Sequence, residues 1–153
     1  MIDELIIREY DHSLDWDEIC RIHDKARIVE LDGSASLDAF IPLKECYKEE
    51  ELFNSKVYVG LISSHVVGFI AYDKNDITWL YVNPSSHCKG YGRKLLNYIL
   101  QKIQGMPTVT VLDNNFRALN LYTSLGFKVV KKKVGKISGT NYPAVGYKMK
   151  KTL

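Results

Sequence analysis

Cysteine is scarce in this chain of 153 residues: Cys20, Cys46 and Cys88 are widely spaced, odd in number, and form no CxxC pair. That excludes a disulfide scaffold, argues against a zinc site, and predicts reduced thiols in a cytoplasmic protein. Long apolar runs are missing as well. The longest, such as Val57–Val59, are only a few residues, so no membrane span is expected. Asp3 and Glu4 precede any apolar run, so no secretory leader is expected either. What is present is ordinary. Hydrophobic residues make up 46% and charged residues 25%, which excludes a disordered or collagen-like chain. The length predicts one domain, residues 1–153, able to bury a core without staples.

Acid is missing from one end. Residues 1–53 hold 15 acids and 6 bases, whereas residues 54–153 hold 3 acids and 15 bases, and none of those acids follows Asp113. The net charge of +3 conceals that division. Either the C-terminal part meets an anion, or its lysines form a merely solvated face.

Hydrophobic periodicity gives a mixed α/β order. Glu4–Tyr10 reads as a strand, and Asp15 or Asp17 as the cap of a helix carrying Ile19, Ile22, Ala26 and Val29. Asp32-Gly33-Ser34 should break it. An acidic helical stretch follows from Leu37 to Phe53, interrupted at Pro42. Lys56–Ile62, Val66–Tyr72 and Ile77–Val82 read as an antiparallel meander, with turns at Ser63-Ser64 and Asp73–Asp76. Asn83-Pro84 ends it. A glycine-bearing loop, Ser85–Gly92, opens a helix with Leu96, Ile99 and Ile103 on one face, stopped by Gly105 and Pro107. Thr108–Leu112 is a further strand. Asn114 or Asn115 caps a helix through Ala118, Leu121, Tyr122 and Leu125, and strands Lys128–Val134 and Ala144–Lys150 complete the chain.

Two segments carry chemistry. A strand feeding a glycine loop that opens a helix gathers backbone N–H groups and a partial positive charge, which suits phosphate or pyrophosphate. Here it is Val82-Asn83-Pro84, then His87-Cys88-Lys89-Gly90-Tyr91-Gly92, with Arg93 and Lys94 adding charge. A Walker A loop is absent, and the third glycine and N-terminal βαβ unit of a Rossmann fingerprint are missing. The second segment is Asn115-Phe116-Arg117-Ala118-Leu119-Asn120-Leu121-Tyr122-Thr123-Ser124-Leu125-Gly126-Phe127. By itself it also reads as a helix packed on a sheet, with Tyr122 a core aromatic.

Together the segments resemble the GNAT superfamily of N-acetyltransferases. The strand-Pro and [Q/R]-x-x-G-x-[G/A] elements look like Val82-x-Pro84 and His87 to Gly92. The later N-x-x-A-x-x-L-Y-x-x-x-G-F matches Asn115, Ala118, Leu121, Tyr122, Gly126 and Phe127 without a gap. The resemblance implies a mostly antiparallel central sheet of about seven strands flanked by about four helices. It implies an acetyl-CoA cosubstrate and no metal, the pyrophosphate held by His87, Cys88, Lys89, Gly90, Tyr91, Gly92, Arg93 and Lys94. It further implies that Leu80, Tyr81 and Val82 pair with the pantetheine arm beside a splay from Thr108–Leu112. Asn115 then reaches that arm, and Tyr122 is the general acid for the leaving thiolate. Acetyl would pass directly to a primary amine of a small molecule, peptide or protein. A non-catalytic acetyl-CoA or CoA sensor of the same fold is the alternative.

Three departures stand out. His87 occupies a usual Gln or Arg position, and Thr78 and Thr110 stand where relatives often carry a glutamate base. Asp76, Asp113, Glu30 and Asp32 are then the candidate bases, with a water chain as the alternative. The acidic group Glu30, Asp32, Asp38, Glu45 and Glu49–Glu51 is expected at the acceptor side, where it would attract a cation. Ile28–Leu43 and Gly135–Val145 should choose the acceptor, whose identity carries no motif. Nucleic acid is not expected as a partner, because no aromatic-basic motif accompanies the C-terminal lysines. Exposed C-terminal strands suit a homodimer in this fold.

Overall fold

The computed structural model describes residues 4–152; Asp3, used above, lies outside them. The chain runs β1 (Ile6–Glu9), α1 (His12–Ser34), α2 (Leu43–Cys46), β2 (Lys56–Ile62), β3 (His65–Asp73), β4 (Asp76–Val82), α3 (Tyr91–Leu100), β5 (Thr108–Leu112), α4 (Phe116–Ser124), β6 (Phe127–Lys136) and β7 (Pro143–Lys151). Single 3-10 turns at Leu37–Ala39, Leu52–Asn54 and Pro84–Ser86 join them. The seven strands form one sheet in the order β1-β2-β3-β4-β5-β7-β6, every pair antiparallel except β4 with β5. This is the expected mixed architecture.

The sheet has a core on each face. Ile70, Ile77, Val109, Val111 and Met149 pack with Leu95, Leu96 and Ile99 of α3 and Tyr122 of α4. Val57, Val59, Phe69, Ala71 and Trp79 pack with Ile19, Cys20 and Ile22 of α1 and Leu43 and Cys46 of α2. Alternation along β2 and β3 sends odd and even residues to opposite helical layers, as period-2 patterning requires, and β4 follows it beyond Thr78, where a register shift puts Ile77 and Trp79 in different layers. Ser63 and Ser64 both take positive φ (48° and 68°), the handedness that matches a tight hairpin to the strands' twist.

Four element boundaries differ from the sequence reading. Asp11 caps α1, accepting from Ser13 N at 3.0 Å. Asp15 is instead buried, receives Arg8 Nη1 and Nη2 at 2.7 and 3.0 Å, and also accepts from Asp11 N. Asp32-Gly33-Ser34 does not break α1, which ends only at Ala35. The acidic stretch is mostly not helical: α2 spans four residues behind Pro42, and Glu51 is left-handed at φ 57°. Finally, α3 stops at Leu100, although Ile103 N still bonds Ile99 O and its side chain remains in the core.

Candidate active site

β4 and β5 are paired only through Asp76–Thr108 and Ile77–Val109. Beyond Ile77 the two strands part, so the β5-facing backbone edge of β4 up to Val82 is left without a strand partner. Thr78 is skipped in the β3–β4 register, a bulge that bends β4 where the parting begins. A cleft of about 600 Å³ occupies the parting and passes through the sheet. Its walls come from α1 on one face and from α3 and α4 on the other.

One end of the cleft is built for an anion. Cys88 (φ 65°) and Gly90 (φ 79°) are both left-handed, a backbone pattern that concentrates N–H groups. Gly90 is the cap of α3 and supplies no side-chain bond, so the first-turn N–H groups stay available. Nothing lies within 4 Å of where a Cβ would stand on Gly90, and at Gly92 it would meet only Leu121 and Val82 at ordinary contact distance. Cys88, Gly90, Tyr91, Gly92 and Arg93 line the cleft, as do Leu80, Tyr81, Val82 and His87. Lys89 and Lys94 lie on the same segment but do not line it.

His87 is not free to reach outward with both nitrogens: its Nε2 donates to Val82 O at 3.0 Å. Partial burial, then the nearby Arg117 guanidinium, lowers its pKa below the ordinary imidazole value. Arg93 donates to Ser124 Oγ at 2.7 Å, tying the start of α3 to the end of α4 at the cleft wall. Arg117, Asn120 and Ser124 also line the cleft. Sequence reasoning missed them, although their i, i+3, i+7 spacing places them on one face of α4 with Leu121.

The other end holds the reactive groups. Among the described residues Glu30 is the only carboxylate lining the cleft. Its Oε1 accepts from Tyr81 OH at 3.2 Å and from Arg27 Nη1, and its Oε2 accepts from Asn115 Nδ2 at 3.1 Å. Asn115 is the cap of α4, its Oδ1 receiving Ala118 N at 3.3 Å. The other candidate bases are elsewhere. Asp76 accepts from Thr108 Oγ1 at 2.7 Å and Asp113 from Tyr147 OH at 3.2 Å, and neither they nor Asp32 line the cleft. Thr78 and Thr110 do line it, Thr78 bonded to Ser55 Oγ at 2.7 Å.

Tyr122 is buried and lines the cleft, and its ring meets Phe127 edge-on. Its hydroxyl has no hydrogen-bond partner among the described residues. Burial, reinforced by Glu30 and then Asp76, pushes its pKa well above the ordinary phenol value. Tyr81 behaves differently from its neighbours on β4. Its ring lies on the α1 side of the sheet, against His23 and Phe69, and burial followed by Glu30 raises its pKa strongly. Of the acidic group expected at the acceptor side, Glu30 alone lines the cleft. The two segments expected to choose the acceptor do meet, through Leu31, Ala39 and Ile137 packed with Phe40 and Ala144.

A seven-stranded sheet parted between its fourth and fifth strands, with a glycine-led helix at the parting, defines an acyltransferase-type fold. The model of the acetyltransferase (GNAT) domain matches residues 53–129, and the chain belongs to that family. The UPF0157 protein YqkA of Bacillus subtilis is 28% identical over 117 residues, 72% of this chain and 34% of that protein. The chain thus spans about a third of the length of this curated relative. Among solved structures, a GCN5-related N-acetyltransferase from Rhodopseudomonas palustris superposes with TM-score 0.83 at 17% identity, over 100% of this chain and 98% of that one. The yncA protein of Salmonella typhimurium, solved with its cofactor acetyl-CoA, gives 0.67 at 20% identity, over 94% and 92%. At such identities the likeness is one of fold. Among the described residues no helix is long and apolar enough to cross a membrane.

Proposed function

We propose that this chain is an acetyl-CoA-dependent N-acetyltransferase that passes acetyl directly to a primary amine in a ternary complex. The observation that carries this reading is the cleft itself. It connects an uncapped, glycine-led helix N-terminus to a tyrosine hydroxyl and a carboxylate, along a strand edge that has no strand partner.

The residues suit such a cosubstrate at each point. The first-turn N–H groups of α3, with Arg93 and Arg117, would hold its phosphates. The free edge of Leu80, Tyr81 and Val82 would pair with its amide-bearing arm as an added strand does. When bound, acetyl-CoA supplies an activated acetyl thioester. Backbone N–H groups of that edge would polarise the carbonyl. Tyr122, its pKa raised, keeps its proton at neutral pH and delivers it to the departing sulfur. Glu30 receives the acceptor's ammonium and takes its proton, with Asn115, Tyr81 and Arg27 fixing the carboxylate in place. The absence of glutamate at Thr78 and Thr110 suggested a non-catalytic sensor; the carboxylate of Glu30 in the cleft favours catalysis.

No acyl-enzyme is needed. Burial pushes the thiol of Cys20 up to about 11 and that of Cys46 up to about 12, and neither lines the cleft; Cys88 does line it, but among the described residues no base is hydrogen-bonded to its thiol. The test is release of free thiol from acetyl-CoA across a panel of primary amines. Amine-dependent release is expected. Tight acetyl-CoA binding with no release for any amine would leave only the sensor reading.

A further inference from the structure

Outside the cleft, one feature of the sheet stands apart. Directly opposed residues of antiparallel strands share a face. Thr110 opposes Lys148, which opposes Lys131; Thr108 opposes Lys150, which opposes Lys128; Lys133 opposes Gly146 on the same face. Five lysines therefore stand together, in rows that begin at the strand carrying Thr110, a wall of the cleft. This is the α1 side of the sheet. There α1 packs over β3 and β4, while Lys128, Lys131 and Lys133 are exposed.

Asp76, which stands beside Thr108 at the start of one row, bonds Thr108 Oγ1 and not a lysine. Among the described residues none of the five lysines makes an ion pair or a side-chain hydrogen bond. Every ion pair there uses a cation at or before Lys44. Strands lie about 4.8 Å apart, so the fields of these ammonium groups add.

Resting on the acetyltransferase reading, we propose that the acceptor amine belongs to an acidic peptide segment. Its carboxylates lie along Lys128, Lys131, Lys133, Lys148 and Lys150 while its amine enters the cleft at Glu30. The charges of the two subsites are complementary to those of such a segment: one anion awaits the ammonium, five cations await the carboxylates. At about 3.3 Å per residue, Lys128 to Lys133 spans roughly 17 Å, more than a single phosphate fills. An extended peptide presents alternate side chains at the same pitch as alternate lysines. β6 is also an edge strand, with backbone groups open to an extended chain. The three rows hold lysine, threonine, glycine and Leu112, and no aromatic stands within them on which a nucleic-acid base could stack.

The test is fluorescence anisotropy of a labelled, N-terminally blocked peptide holding one lysine flanked by aspartates, with CoA present. Binding should weaken with salt. It should fall about 10-fold in the triple variant Lys128→Gln, Lys131→Gln, Lys133→Gln. Lys132→Gln, on the opposite face of the same strand, should match the wild type. Equal binding of a peptide with asparagine in place of aspartate, or full affinity in the triple variant, overturns the proposal. So does a single-stranded oligonucleotide that displaces the peptide, or a dimer that covers the lysines and dissociates in the triple variant. The two levels separate cleanly. If acetyl-CoA and a small amine still react but the peptide does not bind, this inference alone fails. If acetyl-CoA is not bound, the reading beneath it fails.

Discussion

Glu30 Oε2 accepts a hydrogen bond from Asn115 Nδ2 at 3.1 Å, joining the last turns of α1 to the cap of α4 across 85 positions of sequence. The bond sets a carboxylate in the parting of the sheet, on the far side of β4 from the core of α3 and α4. Its consequence is that the carboxylate of the cleft comes from a helix and not from the strands, where Thr78 and Thr110 stand.

Glu30→Gln keeps the size and most of the hydrogen bonding of the side chain but cannot take a proton. Turnover should fall by about 10² to 10⁴, with acetyl-CoA affinity changed little, and activity should recover partly at high pH where the acceptor amine is already neutral. Steady-state kinetics against pH checks this; unchanged kcat would remove Glu30 from the mechanism.

Tyr122→Phe deletes one hydroxyl that has no internal hydrogen-bond partner among the described residues. The fold should therefore be undisturbed, with thermal stability near that of the wild type. The loss should appear in kcat, again by about 10² to 10⁴. A variant that turns over as fast as the wild type would refute the proton-donor role.

Much of this geometry was legible in the sequence. Strand β5 has the predicted boundaries, Asn115 is the α4 cap, and the loop from His87 to Gly92 opens a helix at the cleft. Those features depend on local chemistry: glycine conformations, caps and β-branched runs. What the sequence did not show depends on partners far along the chain. Asp15 looks like a cap until Arg8 is placed beside it, and Glu30 is one of four equal candidates until Asn115 and Tyr81 converge on it. The acidic stretch before β2 resembles a helix in composition, but Pro42 and the left-handed Glu51 divide it into turns.

Asp15 supplies a stability prediction. It is 1% exposed and satisfied by two Arg8 nitrogens and a backbone N–H. Asp15→Ala should cost about 2–3 kcal/mol, since it removes charge-assisted bonds and leaves Arg8 without its partner. Urea denaturation measures it, and a loss below about 0.5 kcal/mol, the ordinary range for surface substitutions, would show that the pair contributes nothing special.

His23 supplies a pH prediction. It is 2% exposed against Trp79 and Tyr81, and burial lowers its pKa, opposed by its bond to Asp24 at 2.9 Å. Unfolded, the imidazole returns to about 6.5. The unfolded state therefore binds more protons below that value, so stability is complete above about pH 6.5 and declines as pH falls. The melting temperature of His23→Gln should fall less steeply between about pH 7 and 5 than that of the wild type. Identical slopes would show that His23 is not the group responsible.

The central claim is that the parting between β4 and β5 holds acetyl-CoA, with its phosphates on the glycine-led N-terminus of α3. Calorimetric titration of the wild type and Gly92→Glu with acetyl-CoA tests it most directly. Micromolar, one-to-one binding is expected, and the variant should lose it while remaining folded, because the new carboxylate opposes the phosphates. Absence of binding by the wild type, or equal binding by both proteins, would contradict it.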